Sequence, residues 1–415
     1  MIRACVCIPS VLFVVTLLLP LACAAPAVQA DQASESEAVK WRSLPPDTTP
    51  DGIPQLDGPT GISVRSPSKD LLQALCANSR VLGLELSDVA VAEDGTSLLD
   101  ELRLPQHLRL LRLGIKGHGN PIVRLAPILS QEGCAISSLS VKVRSVASVD
   151  LVGIGSCKSL RELSLDLREQ LNAGVAIAVA ELASLRALHL ALDRAAATPA
   201  QLLELVGSLR ALTALSLDEC VARFSPAEWM GLVGPELQSL AIKGASGLTA
   251  DVVRAWVGRA AFQSLNVRGI EGGSAWMLGL EGANISELCL GEFASAPSQT
   301  EWAVLKSLKA LKRLSLLYCD SLGDALSACT GLELDVLSVA GKNLTAAECD
   351  AFRLMRVGQI NISMSKLSEE SLGVVLKAEG LRELSLLGSA LPDDWPEMLR
   401  RLRVAAPSVK IGPDR

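Results

Sequence analysis

A chain of 415 residues with 49% hydrophobic side chains is long enough to bury a large core, although only 3% of it is aromatic. Its 39 basic residues are scattered among 45 acidic ones, so no basic patch of the kind that grips nucleic acid is legible. Eleven cysteines in a chain this long do not make a disulfide framework, and the fold must stand on its apolar core.

Residues 1–30 read as a secretory signal peptide. Arg3 and the amino terminus supply the positive flank, Val11 to Leu21 run apolar but for Thr16 and Pro20, and Val28-Gln29-Ala30 offers small residues for cleavage. Lipidation at Cys23 is the lesser alternative, because Pro20 stands where such motifs want leucine. The run is too short to span a bilayer, and no uninterrupted apolar run of 18 residues comes after it. The mature chain is therefore expected to carry no transmembrane segment and to be secreted, extracellular or at the cell surface. Removing residues 1–30 leaves 38 basic against 45 acidic side chains, and eight cysteines.

Residues 31–68 carry Pro45, Pro46, Pro50, Pro54, Pro59 and Pro67, with few large apolar side chains apart from Trp41. Such a segment buries too little to offset its ordering entropy, so a disordered tail is expected, with the folded part at 69–415.

From Val81 the pattern L-x-x-L-x-L recurs. Units begin at Val81, Leu110, Ile136, Leu160, Leu185, Leu212, Leu237, Phe262, Ile285, Leu311, Leu334, Val357 and Leu381, a mean spacing of 25 residues over twelve intervals. Counting the first apolar residue as position 1, positions 4 and 6 face one side of a strand and positions 3, 5 and 7 the other. One such strand cannot bury its apolar side alone; stacking copies in parallel can, with a long return between them. Thr198-Pro-Ala-Gln201, Ser225-Pro-Ala-Glu228, Ser298-Gln-Thr-Glu301 and Thr345-Ala-Ala-Glu348 spell capping boxes at nearly constant distance from their strands, so the returns are helical. A helix is about 10 Å wide and neighbouring strands lie about 4.8 Å apart. The stack must curve, with helices on the convex side.

This pattern resembles the leucine-rich repeat family over nearly all of residues 70–405. The resemblance implies an α/β curved solenoid, or horseshoe, of about 13 repeats with a parallel sheet on the concave face. Cys220 and Cys319 close "LTALSLDEC" and "LKRLSLLYC", which is similar to the ribonuclease-inhibitor-like and cysteine-containing branch. "LPDDWPEM" at 391–398 and "EWAVLKSLKALKRLSL" at 301–316 are similar to kinetoplastid leucine-rich surface antigens, over two units only.

No H-E-x-x-H, paired C-x-x-C, G-x-S-x-G or P-loop spelling occurs, so neither catalysis, cofactor nor metal is expected. Function then falls to the concave face. Its charged and polar candidates are Arg112, Lys116, Lys142, Glu162, Asp166, His189, Asp218, Lys243, Asn266, Arg268 and Arg313, read as contacts for a protein partner. His189 near Glu162, Asp166 or Asp218 is the one place a hydrolytic site would assemble, against the plainer reading of a polar surface histidine. Trp229, Trp256, Trp276, Trp302 and Trp395 fall in the outer half of their units and read as helix anchors. Cys134 and Cys157 stand at equivalent points before neighbouring strands, and Cys329 and Cys349 on adjacent outer segments, so bridging is open for either pair. Sequons occur at Asn284, Asn343 and Asn361. The leading expectation is a secreted recognition protein. A surface antigen without a specific ligand is the alternative, and an intracellular F-box-type adaptor a more distant one.

Overall fold

The computed structural model describes residues 39–412, apart from 46–47, 92–96, 98–102, 118–121, 130, 132–133, 144–147, 152–153, 168–172, 193–197, 220–223, 260, 342–343 and 391–393. The expected signal peptide lies outside the described residues.

Sixteen strands form one parallel sheet in unbroken spatial order. Thirteen of them are the thirteen hexamers, from Val81–Val91 to Glu383–Ser385. Two more, Lys40–Leu44 and Thr60–Arg65, precede them, and Lys410–Gly412 closes the far end. Positions 4 and 6 are the spine of the core. Leu163 and Leu165, Leu215 and Leu217, Leu265 and Val267, and Leu314 and Leu316 are each at most 2% exposed. Each such side chain contributes about 1.5–3 kcal/mol by leaving water. The core is continuous from one end of the sheet to the other.

All four expected capping boxes are formed. Thr198 with Gln201, Ser225 with Glu228 and Ser298 with Glu301 make both reciprocal bonds, as do Thr345 and Glu348 at 3.3 and 3.0 Å. One short unit has a tighter return. The Phe262 unit spans 23 residues and returns through a 3-10 segment, Ala275–Leu280, which climbs about 2.0 Å per residue against about 1.5 Å for an α-helix. Helices stacked about 10 Å apart behind strands about 4.8 Å apart leave the sheet lining the inside of the curve.

Two expectations need correcting. The segment 31–68 is not a tail throughout, because Lys40–Leu44 and Thr60–Arg65 are sheet strands and Ile62 and Val64 are buried. Pro50, Pro54 and Pro59 all fall in the connection between these strands, where proline costs no ladder bond. The second concerns register. Leu111 and Leu113 pair with Leu139 and Val141, so that unit begins at Leu108 rather than Leu110. "LRLLRLGI" satisfies L-x-x-L-x-L from either leucine, and only the neighbouring strands decide between them.

Candidate functional site

Register brings seven of the eleven candidate residues into one run across the concave face. Lys142, Asp166, Asp218, Lys243 and Arg268 occupy position 7, and His189 and Asn266 position 5. Lys142 and Asp166, on adjacent strands, pair at 2.9 Å. Lys243 and Arg268 both reach Glu292 at 3.9 Å. His189 Nδ1 and Ser216 Oγ share a hydrogen bond of 2.8 Å. Burial holds the imidazole below its usual range, outweighing the upward pull of Asp218 and Asp166, while Lys142 adds to the lowering. The neutral ring is the resting form at pH 7.

The other candidates sit differently. Glu162 faces inward at position 3, and Arg313 at the same position pairs with Glu287 at 2.9 Å, farther along the sheet. Asn266 is only 6% exposed, with its Oδ1 lacking any hydrogen-bond partner, so it is not offered to a partner as the pattern implied. The register correction moves Arg112 to position 5, opposite Glu85 and Ser140, and leaves Lys116 past the end of the rows, beside Ala90.

Arg112 has a partner that the pattern does not reveal. Its guanidinium lies 4.6 Å from the Trp41 ring centroid. Trp41 is in register with Gly61, and Gly61 with Gly83. A Cβ on Gly61 would stand 2.5 Å from the indole, and one on Gly83 3.0 Å from it. The two glycines are therefore a bare track on which the first strand lays its tryptophan.

A second feature lies outside the hexamer. Position 8 adopts a left-handed backbone in nine units: Asp88, Glu219, Gly244, Gly269, Glu292, Tyr318, Gly341, Met364 and Gly388. From Glu219 to Met364 its N–H donates to the position 7 carbonyl of the next strand, at 2.8–3.1 Å. The result is a continuous rim along the carboxyl edge of the sheet. The recurring glycines at 244, 269, 341 and 388 are its one signal in the sequence. Non-glycine residues in this conformation cost on the order of 1–3 kcal/mol each. Tyr318, the only tyrosine of the chain, occupies it nonetheless. Its ring lies against Gly341, where a Cβ would collide with it, and its hydroxyl donates to Met364 Sδ at 3.2 Å. Tyr318 and Met364 are 43% and 44% exposed and form an apolar ledge, with half-buried Leu317 just before Tyr318 and half-buried Leu387 on the next strand beside Met364.

Trp229, Trp256, Trp276 and Trp302 are at most 1% exposed and pack behind the sheet; Trp395 is half-buried. Trp229 donates to the Ser246 carbonyl at 3.0 Å and Trp256 to the Trp229 carbonyl at 3.1 Å, which ties one return segment to the next. Cys319 is buried, with its sulfur near the Leu290 and Leu317 carbonyls, while Cys220 lies outside the described residues. Of the sequon residues, Asn284 is exposed and Asn361 is tied to Ser338 and Gln359 on the concave face. Asn343 lies outside the described residues. Among the described residues no three His, Cys, Asp or Glu side chains gather as for a metal, and no helix is long and apolar enough to cross a membrane.

No family model matches the chain, and no curated protein matches it either. Among solved structures, the crystal structure of a TLR13–ssRNA13 complex is similar to it, with a TM-score of 0.38 at 16% identity. The alignment covers 81% of this chain and 41% of that one. The sheet of sixteen parallel strands and its helical returns make an α/β solenoid.

Proposed function

We propose that this is a secreted or surface-held recognition protein, non-catalytic, which holds a protein partner against its concave face. The observation that carries the reading is Tyr318. An exposed aromatic ring kept in a costly backbone conformation, and braced by Gly341 and Met364, has the form of an interface anchor. The charged run from Lys142 to Glu292 supplies the second half of the surface. Half-buried surface ion pairs such as Lys142–Asp166, still open to water, add little to stability, about 0–1 kcal/mol. Their worth lies in presenting alternating charge at fixed positions, which selects and orients a partner. Sixteen strands about 4.8 Å apart give an arc on the order of 70 Å, ample for a standard protein interface.

No catalytic step enters this reading. His189 and Ser216 sit inside the parallel ladder, where the surrounding backbone N–H groups are committed to neighbouring strands. Among the described residues, these N–H groups serve the ladder and are not gathered toward an oxyanion. Placement in the cysteine-containing branch of the repeat family is part of the same proposal and rests on Cys319 buried in its turn.

The test compares the wild-type chain with three variants against a partner captured by crosslinking: Lys142, Asp218, Lys243 and Arg268 all changed to alanine, Tyr318→Ala with Met364→Ala, and the convex control Met230→Ala. Saturable binding should weaken at least tenfold in the first two, as expected for lost hot-spot contacts, and hold in the third. Equal binding by all four chains overturns the reading. Steeply salt-dependent capture of single-stranded RNA, displacing the protein partner, replaces it with a nucleic-acid one. Absence of any saturable ligand favours a surface antigen.

A further inference from the structure

Five of the described cysteines lie in or against the core: Cys76, Cys289, Cys319, Cys329 and Cys349. Burial pushes the thiol of Cys76 up to about 11, and those of Cys329 and Cys349 up to about 12, so these are inert. The remaining two are different. Cys134 leads into the Ser138–Val143 strand and Cys157 into its neighbour Glu162–Asp166, and their sulfurs lie 3.9 Å apart. The approach is held by more than the sulfurs. Ser159 Oγ donates to the Cys134 and Ile136 carbonyls at 3.2 and 2.8 Å, and lies 3.5 Å from Cys157 Sγ. The backbones on either side are latched where Arg161 N–H donates to the Ser137 carbonyl at 2.8 Å.

We infer that Cys134 and Cys157 form a dithiol–disulfide site, oxidised by a small disulfide of the glutathione type to a bridge between adjacent strands. This inference stands apart from the proposed binding role. Accessibility and acidity divide the labour. Cys134 is partly exposed, and Cys157 is 2% exposed. The hydrogen bond from Cys134, helped by Ser159, brings Cys157 down to about 6, while the same bond pushes Cys134 up. One proton shared by two sulfurs leaves one thiolate at neutral pH.

Atoms and electrons balance over two exchanges. The accessible Cys134 sulfur first passes the shared proton across to Cys157, then attacks one sulfur of the small disulfide, forming a mixed disulfide and releasing one thiolate. Cys157 sulfur then attacks Cys134 sulfur, breaking the mixed bond, and its proton leaves with the second thiolate. Two protein thiols are oxidised, and one small disulfide is reduced to two thiols. The bridge would fasten the long-stranded amino-terminal part of the sheet to the regular part beyond it.

The experiment treats the folded full chain with oxidised glutathione at pH 7 and digests it after quenching. Trypsin cuts after Lys142 and Arg144, so the two cysteines fall on separate peptides. The native protein should yield them linked, lighter by two hydrogens, with Cys329 and Cys349 unmodified. In Cys157→Ala, glutathione should instead remain attached to Cys134. The linking rate should fall about tenfold per pH unit below the acidity of the pair. Linkage seen only after denaturation, or glutathione trapped on Cys134 of the wild-type chain, would overturn the assignment. If Cys157→Ala fails to fold, alkylation of the wild-type thiols before and after oxidation reads the same result: both protected together, or neither.

Discussion

The strands before Ser138 and those after Glu162 are spelled by the same hexamer, yet they end differently. From Glu162–Asp166 to Arg313–Leu317 every strand has five residues. Val81–Val91 has eleven and Leu110–Gly117 eight, with a register shift between Leu86 and Val89. The difference lies just past the hexamer. From Ala214–Asp218 onward a left-handed residue at position 8 turns the chain out of the sheet, as at Glu219 and Glu292, whereas Glu162–Asp166 and Ala187–Ala191 end before Leu167 and Leu192 without one. In the Val81 unit Asp88 is also left-handed, but Val89 rejoins the ladder opposite Ile115, so the turn becomes a bulge. The apolar spine makes a strand, and from Ala214–Asp218 onward the residue at position 8 marks where it leaves the sheet, while Glu333–Ala340 and Arg356–Ser363 lengthen at their amino ends.

The sharpest break of this comparison is in the regular part. Trp256 is fully buried and its N–H ties it to the preceding return. Trp256→Ala should cost about 3–5 kcal/mol, read as a lower midpoint in urea. Because each repeat touches only its neighbours, protection against hydrogen exchange should fall first around residues 214–291 and leave 40–65 unaltered. Uniform loss along the chain would show that the array unfolds as one unit.

The matching change at the other end is Trp41→Ala. It removes the indole from Gly61 and Gly83 and the ring beneath Arg112. The expected loss is about 2 kcal/mol, smaller because the ring is only partly buried and its buried N–H already lacks a partner. Faster exchange confined to Lys40–Leu44 and Thr60–Arg65 would mark these strands as fastened by Trp41. Unchanged exchange there would show that Ile62 and Val64 suffice.

These two tryptophans also mark what the sequence could tell. The unit of Trp256 keeps the period, so the distance from its strand locates the ring behind the sheet. Trp41 stands ahead of the first leucine hexamer, where Val39 with Trp41 and Ile62 with Val64 are short alternating apolar pairs and prolines obscure them. The Leu110 start is not decidable from the pattern, because two frames satisfy it and register is a property of neighbours. At the candidate site, row and face are legible from period 2, which puts Lys142, Asp166, His189, Asp218, Lys243 and Arg268 together. Burial of Asn266 is not, since it depends on what covers the strand. Nor is the rim, because a left-handed turn is spelled by glycine in four units and by Asp, Glu, Tyr or Met in the rest.

A gentler probe uses pH at the centre of the face. His189 is held below its ordinary value of 6.5, with burial the first cause, against Asp218 and Asp166 and with Lys142. The folded state therefore binds the proton less tightly than the unfolded state. Stability should be fully present above about pH 6.5 and decline as the pH falls toward the lowered value. His189→Gln should flatten that decline in urea midpoints measured between about pH 7.5 and about pH 5. An identical slope in the variant would assign the decline to the carboxylates alone.

The smallest expected effect bears most directly on the comparison. Glu219 ends its strand from a left-handed conformation at φ 59°, is exposed, and donates its N–H to the Lys243 carbonyl at 2.9 Å. Glycine keeps that N–H and removes the clash of a Cβ, but it adds freedom to the unfolded chain. The net gain for Glu219→Gly should be about 0.5–1 kcal/mol, read as a higher urea midpoint. In Tyr318→Gly the same relief is opposed by loss of the ring from Gly341 and of the hydroxyl from Met364, so its midpoint should hardly move. If both glycine variants gain equally, the ledge contributes nothing to the fold, and the ring is kept for what it meets outside. If neither gains, position 8 is not a strained stop, and the five-residue strands must be ended by the return segments behind them.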